Sequence, residues 1–196
     1  IGSLMRNLFR SSWFYDAENI GTRIKSPVEL LVGIQRQLPM TLSNPTVQLL
    51  LQRLLGQILF YPPNVAGWPG GTNWIDSSSL MLRMRIPQLI YAADAVSLKP
   101  KDDDDQMMGM EDTMMKQMGK MGDQFAGATI NWKAYEAAFG KADPDKLVKA
   151  VCSRLLQTDS NGAINILNRY ADHSNREAFL RSITMRVMSM PEYQLC

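Results

Sequence analysis

A segment between two predicted helices carries aromatic and amide side chains of the kind that bind sugars. Residues 61–76 read YPPNVAGWPGGTNWID, and their prolines and glycines exclude a helix. A backbone stiffened in this way can hold aromatic faces for stacking and place amides against hydroxyl groups, while a following arginine would meet an anionic group. The candidate binding residues are Tyr61, Asn64, Trp68, Asn73, Trp74 and Arg83. The same segment also suits a structural cap, in which both tryptophans fill the seam between helices.

Acidic residues near this segment raise the question of catalysis on a glycan. Glycosidases use two carboxylates, and Asp76 is the first candidate, although no second acidic residue lies at a spacing that selects a pair. His173 is the chain's one histidine, so it is the one side chain that could serve as the base of a Ser-His-Asp triad. Its place before a predicted helix favours a loop or capping role. The sequence therefore leaves open whether the protein is an enzyme.

Residues 97–128 are unusual because they hold seven of the chain's 14 methionines and the aspartate run 102–105. Five methionines recur at spacings of 3, 4, 4 and 3, as Met107, Met110, Met114, Met118 and Met121. Thioethers on one helical face could bind Cu(I), but a flexible insert or an apolar face against a partner helix accounts for the same spacing. The aspartate run does not begin an EF-hand, because Met107 replaces the required glycine and Thr113 the bidentate glutamate. We expect no metal and no cofactor.

Charge and hydropathy narrow the class of partner. The net charge is +2, which gives no reason to expect nucleic acid. No run of about 18 apolar residues occurs, so we expect no membrane span. The first residues lack the layout of a signal peptide, and the chain reads as the middle of a longer protein. Cys152 and Cys196 could form a disulfide in an oxidising compartment or remain thiols.

The elements that must position these residues are predicted to be helices, because apolar residues recur with a period of 3.6 and no segment alternates as a strand would. Ser26, Pro27 and Glu29 form a capping-box start, and Asn44-Pro45 repeats this device. Further starts are predicted at Asp76, Asp143-Pro144 and Asn175. Pro87 is expected to kink or split the helix that Asp76 opens.

These signals predict an all-α fold, an irregular helical bundle with an ordered loop rich in proline, glycine and tryptophan. Residues 1–96 would form one helical group that carries the loop, and residues 129–196 a second group. Residues 97–128 would join the two groups as a low-complexity linker or insertion.

Two stretches, IKSPVELLVGIQRQL and LGQILFYPPNVAGWPGGTNWIDSSSLMLRMR, resemble the C-terminal half of the bacterial domain of unknown function 1800 family. The family pattern pairs a K-S-P-x-E-L helix start with L-x-x-P-P-x-V-x-G-W-x-G-G-x-x-W-I and a following arginine. The matching positions are Lys25, Ser26, Pro27, Glu29, Leu30, Leu59, Pro62, Pro63, Val65, Gly67, Trp68, Gly70, Gly71, Trp74, Ile75 and Arg83. The clear match covers residues 23–85, and SSWFYD and SMPEYQL also resemble family segments.

The resemblance implies a location and a class of partner but no reaction. The family has no established activity and supplies no catalytic residues. Its members tend to be longer, so the resemblance implies that an N-terminal half is missing. Many members are exported, and their genes neighbour those of alkaline-phosphatase-like and sulfatase-like proteins. This implies a periplasmic or extracellular location, and it makes the neighbouring gene's product a candidate partner.

We therefore carry three hypotheses of different classes. The first is an exported binding or scaffold module that recognises a polysaccharide or a partner protein through residues 61–76. The second is a glycan-acting hydrolase or lyase that uses carboxylates near Asp76. The third is a structural half of a larger protein whose activity lies in an N-terminal part.

Overall fold

The computed structural model describes residues 1–42, 44–92, 128–140, 143–158 and 161–196, and within them the fold is helical. The α-helices are α1 (Gly2–Arg10), α2 (Pro27–Gln37), α3 (Thr46–Leu54), α4 (Ser77–Ala92), α5 (Trp132–Ala137), α6 (Pro144–Leu155), α7 (Asn161–Arg169) and α8 (Arg176–Met188). Short 3₁₀ helices cover Ser12–Tyr15, Ala17–Asn19, Gly71–Trp74 and Pro191–Gln194. The predicted all-α class is confirmed. The predicted methionine face and aspartate run lie outside the described residues.

A small two-stranded sheet, which the sequence did not predict, joins the two predicted helical groups. Strand β1 (Met40–Leu42) pairs antiparallel with β2 (Ala128–Ile130), and Thr41 lies opposite Thr129. Each strand has three residues, which is too short for an alternating pattern to show in the sequence. The pairing holds the segment between α2 and α3 against the start of the second helical group.

Side-chain caps begin the helices where the sequence predicted them. At α2, Ser26 Oγ accepts from the Glu29 amide at 3.3 Å, and Glu29 Oε2 accepts from the Ser26 amide at 2.8 Å. At α8, Asn175 Oδ1 accepts from the Ala178 amide at 2.8 Å. Helix α6 begins after Asp143 as predicted, but the Asp143 side chain makes no capping hydrogen bond. The side-chain caps of α2 and α8 satisfy amides that have no partner inside their helix.

Two details of the helices differ from the sequence prediction. The first is a shift of one residue at α3: Asn44 Oδ1 accepts from the Thr46 amide at 3.0 Å as predicted, but the helix begins at Thr46, just after Pro45. Helix α4 continues through Pro87 to Ala92 and is not split. Proline removes one helical hydrogen bond, here the bond to the Arg83 carbonyl four residues earlier. Because Pro87 is buried with Ile86 on one side of α4, packing offsets that loss.

One hydrophobic core contains residues from both predicted helical groups. Helices α2 and α3 contribute Leu30, Leu31, Ile34, Leu50 and Leu51. Helices α6 and α8 contribute Leu147, Val148, Val151, Leu180, Ile183 and Val187. The two groups are therefore in contact, whatever path residues 97–127 take between them.

Candidate functional site

The loop that precedes α4 begins earlier than the apolar pattern suggested. Apolar residues continue at helical spacing to Leu59, but α3 ends at Leu54. Gly56 then adopts a φ of 83°, a left-handed conformation that glycine enters without steric cost. The chain therefore turns out of the helix, and Leu59 is exposed instead of packed.

Two glutamines fix the start of this loop. Gln52 Oε1 accepts from the Leu59 amide at 2.9 Å, and Gln57 Oε1 accepts from the Val28 amide at 2.9 Å. Val28 lies in the first turn of α2, where backbone amides need an outside acceptor. From their spacing both glutamines would lie on the polar face of the helix, so the sequence gives no sign of this role. The glycine between them was the one available signal that the helix had ended.

Phe60 occupies an unusual backbone position at the tip of the first turn. Its φ is 66°, and among the described residues it is the one non-glycine residue with a positive φ. The Tyr61 amide donates to the Ile58 carbonyl at 3.0 Å and closes the turn around it. The Phe60 side chain is 89% exposed. Left-handed backbone at a bulky residue costs about 1–3 kcal/mol and recurs at functional sites.

Four exposed apolar side chains lie in this turn or shortly after it in the sequence, and we call them the loop surface. They are Leu59, Phe60, Tyr61 and Val65. Tyr61 was a predicted binding residue, whereas Leu59 and Phe60 lie just before the predicted segment 61–76. Large apolar side chains that are exposed together in one short loop are typical of binding surfaces.

Asn64 and Gly67 shape the middle of the loop. Asn64 Oδ1 accepts from the Ala66 amide at 2.9 Å, and the Asn64 carbonyl accepts from the Gly67 amide at 3.1 Å. Gly67 has a φ of 87°, which explains the glycine at this position. Asn64 remains exposed, but its oxygen is engaged in holding the loop.

The two tryptophans of the loop differ in burial. Trp68 is half-buried, whereas Trp74 is 8% exposed and ends the 3₁₀ helix Gly71–Trp74. Asn73 is exposed but donates from Nδ2 to the Gly70 carbonyl at 3.2 Å. The burial of Trp74 agrees with the packing role that the sequence left open, and Trp68 retains part of its ring surface for a ligand.

Asp76 caps α4. Its Oδ1 accepts from the Ser79 amide at 2.8 Å and from Ser78 Oγ at 2.6 Å, and its amide donates to Ser79 Oγ at 2.8 Å. The predicted cap is confirmed. The suggested catalytic role of Asp76 stays a prediction.

Arg83 lies inside the protein, whereas the loop surface is exposed. It has no exposed surface, and its Nη1 donates to the Lys25 carbonyl at 3.0 Å. Its Nε and Nη2 have no hydrogen-bond partner among the described residues. Burial disfavours the charged guanidinium and lowers the pKa of Arg83 to about 10. The structure therefore does not bring Arg83 together with the exposed candidates Tyr61, Asn64 and Asn73.

Lys25 joins segments that are far apart in the sequence. Its amide donates to the Gln194 carbonyl at 2.8 Å, and its Nζ donates to the Tyr193 carbonyl at 2.6 Å. Burial lowers the pKa of Lys25 below the usual value for lysine. Tyr193 is buried, and its hydroxyl donates to Gln37 Oε1. The helix start, α4 and the end of the chain thus meet at Lys25.

The remaining candidates for chemistry have structural surroundings. His173 Nε2 lies 3.0 Å from the Asn168 carbonyl, and its ring centroid lies 5.1 Å from that of Phe179. No disulfide joins Cys152 to Cys196. Within the part of the chain that the structure describes, no three His, Cys, Asp or Glu side chains cluster as metal ligands would.

Comparison with known families agrees with the motifs of residues 23–85. The family model described as Protein of unknown function (DUF1800) matches residues 1–195. The chain belongs to this family. The match extends beyond the motifs to both helical groups and to the segment between them. Searches of curated proteins and of solved structures found no match. None of the described helices is both long and apolar enough to cross a bilayer.

Proposed function

We propose that this chain is a binding module that docks a partner protein through the loop surface. The exposed Phe60 at its left-handed backbone position carries the proposal. Neither the strain of that backbone nor the exposure of that ring contributes to folding, so both need another reason. Aromatic side chains on a protein surface are the residues that anchor protein interfaces.

The loop is held in shape before any partner arrives. Gln52 fixes the backbone at Leu59, Gln57 ties the loop to α2, and Pro62 and Pro63 restrict the chain beyond the turn. A surface that is already ordered loses little conformational entropy on binding, which favours affinity.

A partner protein fits this surface better than a polysaccharide does. A sugar site needs polar atoms directed at hydroxyl groups, yet Asn64 Oδ1 and Asn73 Nδ2 bond to the loop's own backbone. Trp74 is buried and offers no stacking face. The polysaccharide remains the second candidate because Trp68 is half-buried and Tyr61 is exposed, which leaves two aromatic rings accessible.

We further propose that binding takes place outside the cytoplasm, with the neighbouring gene's product as the partner. The family resemblance supports this proposal. Fractionation of cells that express the natural full-length protein tests it. Recovery of the protein in the cytoplasmic fraction would contradict the proposed location.

A binding titration tests the proposed function. Residues 1–196 are titrated against the purified neighbouring-gene product and against a panel of bacterial surface polysaccharides. Phe60→Ser combined with Val65→Ser should weaken binding at least roughly tenfold, because anchor residues carry most of the affinity. Leu49→Ser is the matched control, because Leu49 is also an exposed apolar side chain but lies on α3 outside the loop surface.

Each outcome decides between the hypotheses. Binding to the protein partner that the double substitution weakens supports the proposal, and binding to a polysaccharide alone would replace it with the second candidate. If the natural full-length protein binds but residues 1–196 do not, these residues are not a binding module. That result would favour the hypothesis that they are a structural part of a larger protein. An equal loss in the Leu49→Ser control would also contradict a role specific to the loop surface.

A further inference from the structure

A concave surface lies outside the loop surface and shares none of its residues. A cavity of about 430 Å³ is bounded by α7, the end of α8, the turn at Pro191 and Gln88 of α4. Its apolar lining includes Ala163, Leu167 and Met190. This volume falls in the range of small-molecule sites, roughly 300–1,000 Å³. An apolar lining alone does not identify the class of ligand. The charged side chains of the pocket give that information.

Glu192 lines this pocket and is partly buried. Its Oε2 atom is shielded from water and has no hydrogen-bond donor among the described residues. A carboxylate with one oxygen cut off in this way relies on its other oxygen for all of its solvation. A ligand ammonium can therefore pair only with that other oxygen, through a charge-assisted hydrogen bond.

Arg186 supplies the opposite charge in the same pocket. Its guanidinium carbon lies 5.9 Å from the centroid of the Tyr170 ring, and the side chain is exposed. Within the described part of the chain, no ion pair joins Arg186 to Glu192. The guanidinium therefore remains accessible to a ligand carboxylate, for which its planar donors are suited.

We propose that this pocket binds a small zwitterion with an apolar side chain, namely a free α-amino acid such as leucine. The ligand ammonium pairs with Glu192, its carboxylate pairs with Arg186, and its side chain covers Ala163 and Leu167. One positive and one negative side chain beside an apolar lining favour a ligand that carries both charges and an apolar group. A simple amine would make no ion pair with Arg186, and a fatty acid would make none with Glu192. The site is independent of the loop surface, so either can fail without the other.

An analogue series tests the charges without any substitution. Binding of L-leucine, N-acetyl-L-leucine and L-leucinamide to residues 1–196 is measured by calorimetry and by ligand-observed NMR. The acetyl compound lacks the ammonium and the amide lacks the carboxylate. L-Leucine should bind saturably, and each analogue should bind at least roughly tenfold more weakly. Specific sites bind with dissociation constants well below about 50 mM. If L-leucine does not saturate the protein up to that concentration, the proposal is overturned.

Matched variants locate the binding. Glu192→Gln and Arg186→Gln should each weaken L-leucine binding at least roughly tenfold, since each removes one charge partner. Glu18→Gln and Arg36→Gln make the same exchanges at exposed positions outside the pocket and should bind like wild type. Ala163→Phe should abolish binding by filling the apolar lining, with circular dichroism confirming that it folds. L-Leucine binding that Glu192→Gln leaves unchanged would place the ligand elsewhere and contradict the proposal.

Discussion

The guanidinium of Arg83 donates from Nη1 to the carbonyl oxygen of Lys25 over 3.0 Å, between positions 58 residues apart. The amide of Lys25 in turn donates to the Gln194 carbonyl at 2.8 Å. One lysine backbone therefore connects the start of α2, helix α4 and the last turn of the chain. The lysine and arginine of the family motif thus serve a structural junction in this protein, while the exposed part of the motif lies in the loop.

Removal of the Arg83 side chain is expected to destabilise this junction. Arg83→Ala leaves a cavity and an unbonded Lys25 carbonyl, which together should cost about 2–4 kcal/mol of unfolding free energy. Arg83→Met should cost less, because it keeps much of the volume and removes a buried charge that has no carboxylate partner in the described residues. Urea denaturation measures both. Arg83→Ala unfolding at the wild-type midpoint would contradict the structural role.

The ion pair at the start of α2 predicts a dependence of stability on pH. Arg23 Nη2 lies 2.7 Å from Glu29 Oε1, and this hydrogen bond is the main cause that lowers the pKa of Glu29 below 4.5. Because Glu29 has a lower pKa in the folded state, the unfolded state binds more protons in acid. The ion pair therefore stabilises the fold above about pH 4.5, and this stabilisation is lost as the pH falls through the pKa of Glu29 in the folded protein. Both side chains are partly exposed, which limits the effect to about 0.5 kcal/mol.

Glu29→Gln isolates this charge, because glutamine retains an oxygen that can accept from the Ser26 amide. The variant should be less stable than wild type at neutral pH and equally stable near pH 2. Urea denaturation at the two pH values gives the comparison. If the variant and wild type differ in unfolding free energy by the same amount at both pH values, the charge of Glu29 is not the cause of the difference.

The cap of α4 gives a further prediction. Asp76→Ala removes the acceptor of the Ser79 amide and should cost about 1 kcal/mol, whereas Asp76→Ser keeps a capping oxygen and should recover most of it. Thermal melting of the two variants tests the difference. If both variants melt like wild type, the cap does not stabilise the helix, and the catalytic hypothesis for Asp76 gains weight.

The two loop tryptophans should differ in their contribution to stability. Trp74→Ala removes a buried ring and should cost about 3–5 kcal/mol of unfolding free energy. Trp68→Ala removes a half-buried ring and should cost roughly half as much. Equilibrium denaturation of the pair, followed by far-ultraviolet circular dichroism, gives the comparison. The reverse order would assign the packing role to Trp68.

Local signals could be predicted from the sequence, and long-range contacts could not. The caps at Ser26, Asp76 and Asn175 depend on neighbours within three residues, so the sequence contains all the information needed. Burial of Arg83 depends on a carbonyl 58 positions away, and charged residues are expected at the surface unless a partner is known.

The loop surface was missed in part for a different reason. Apolar residues continue at helical spacing beyond the end of α3, so the pattern predicts that Leu59 is buried on the same helix face. Gly56 ends that helix through its left-handed backbone conformation, and the spacing of apolar residues contains no information about backbone conformation. Phe60 was therefore left outside the predicted segment, although it is the most unusual residue of the loop.

The central claim is that the loop surface serves binding and not folding, and the stability of Phe60→Gly tests it most directly. Glycine accepts the left-handed backbone without steric cost, and little buried area is lost because the ring is 89% exposed. The unfolding free energy of the variant, measured in urea, should therefore lie within about 1 kcal/mol of wild type. A loss of more than about 2 kcal/mol would mean that Phe60 packs within the fold, and it would contradict the assignment of this surface to a partner.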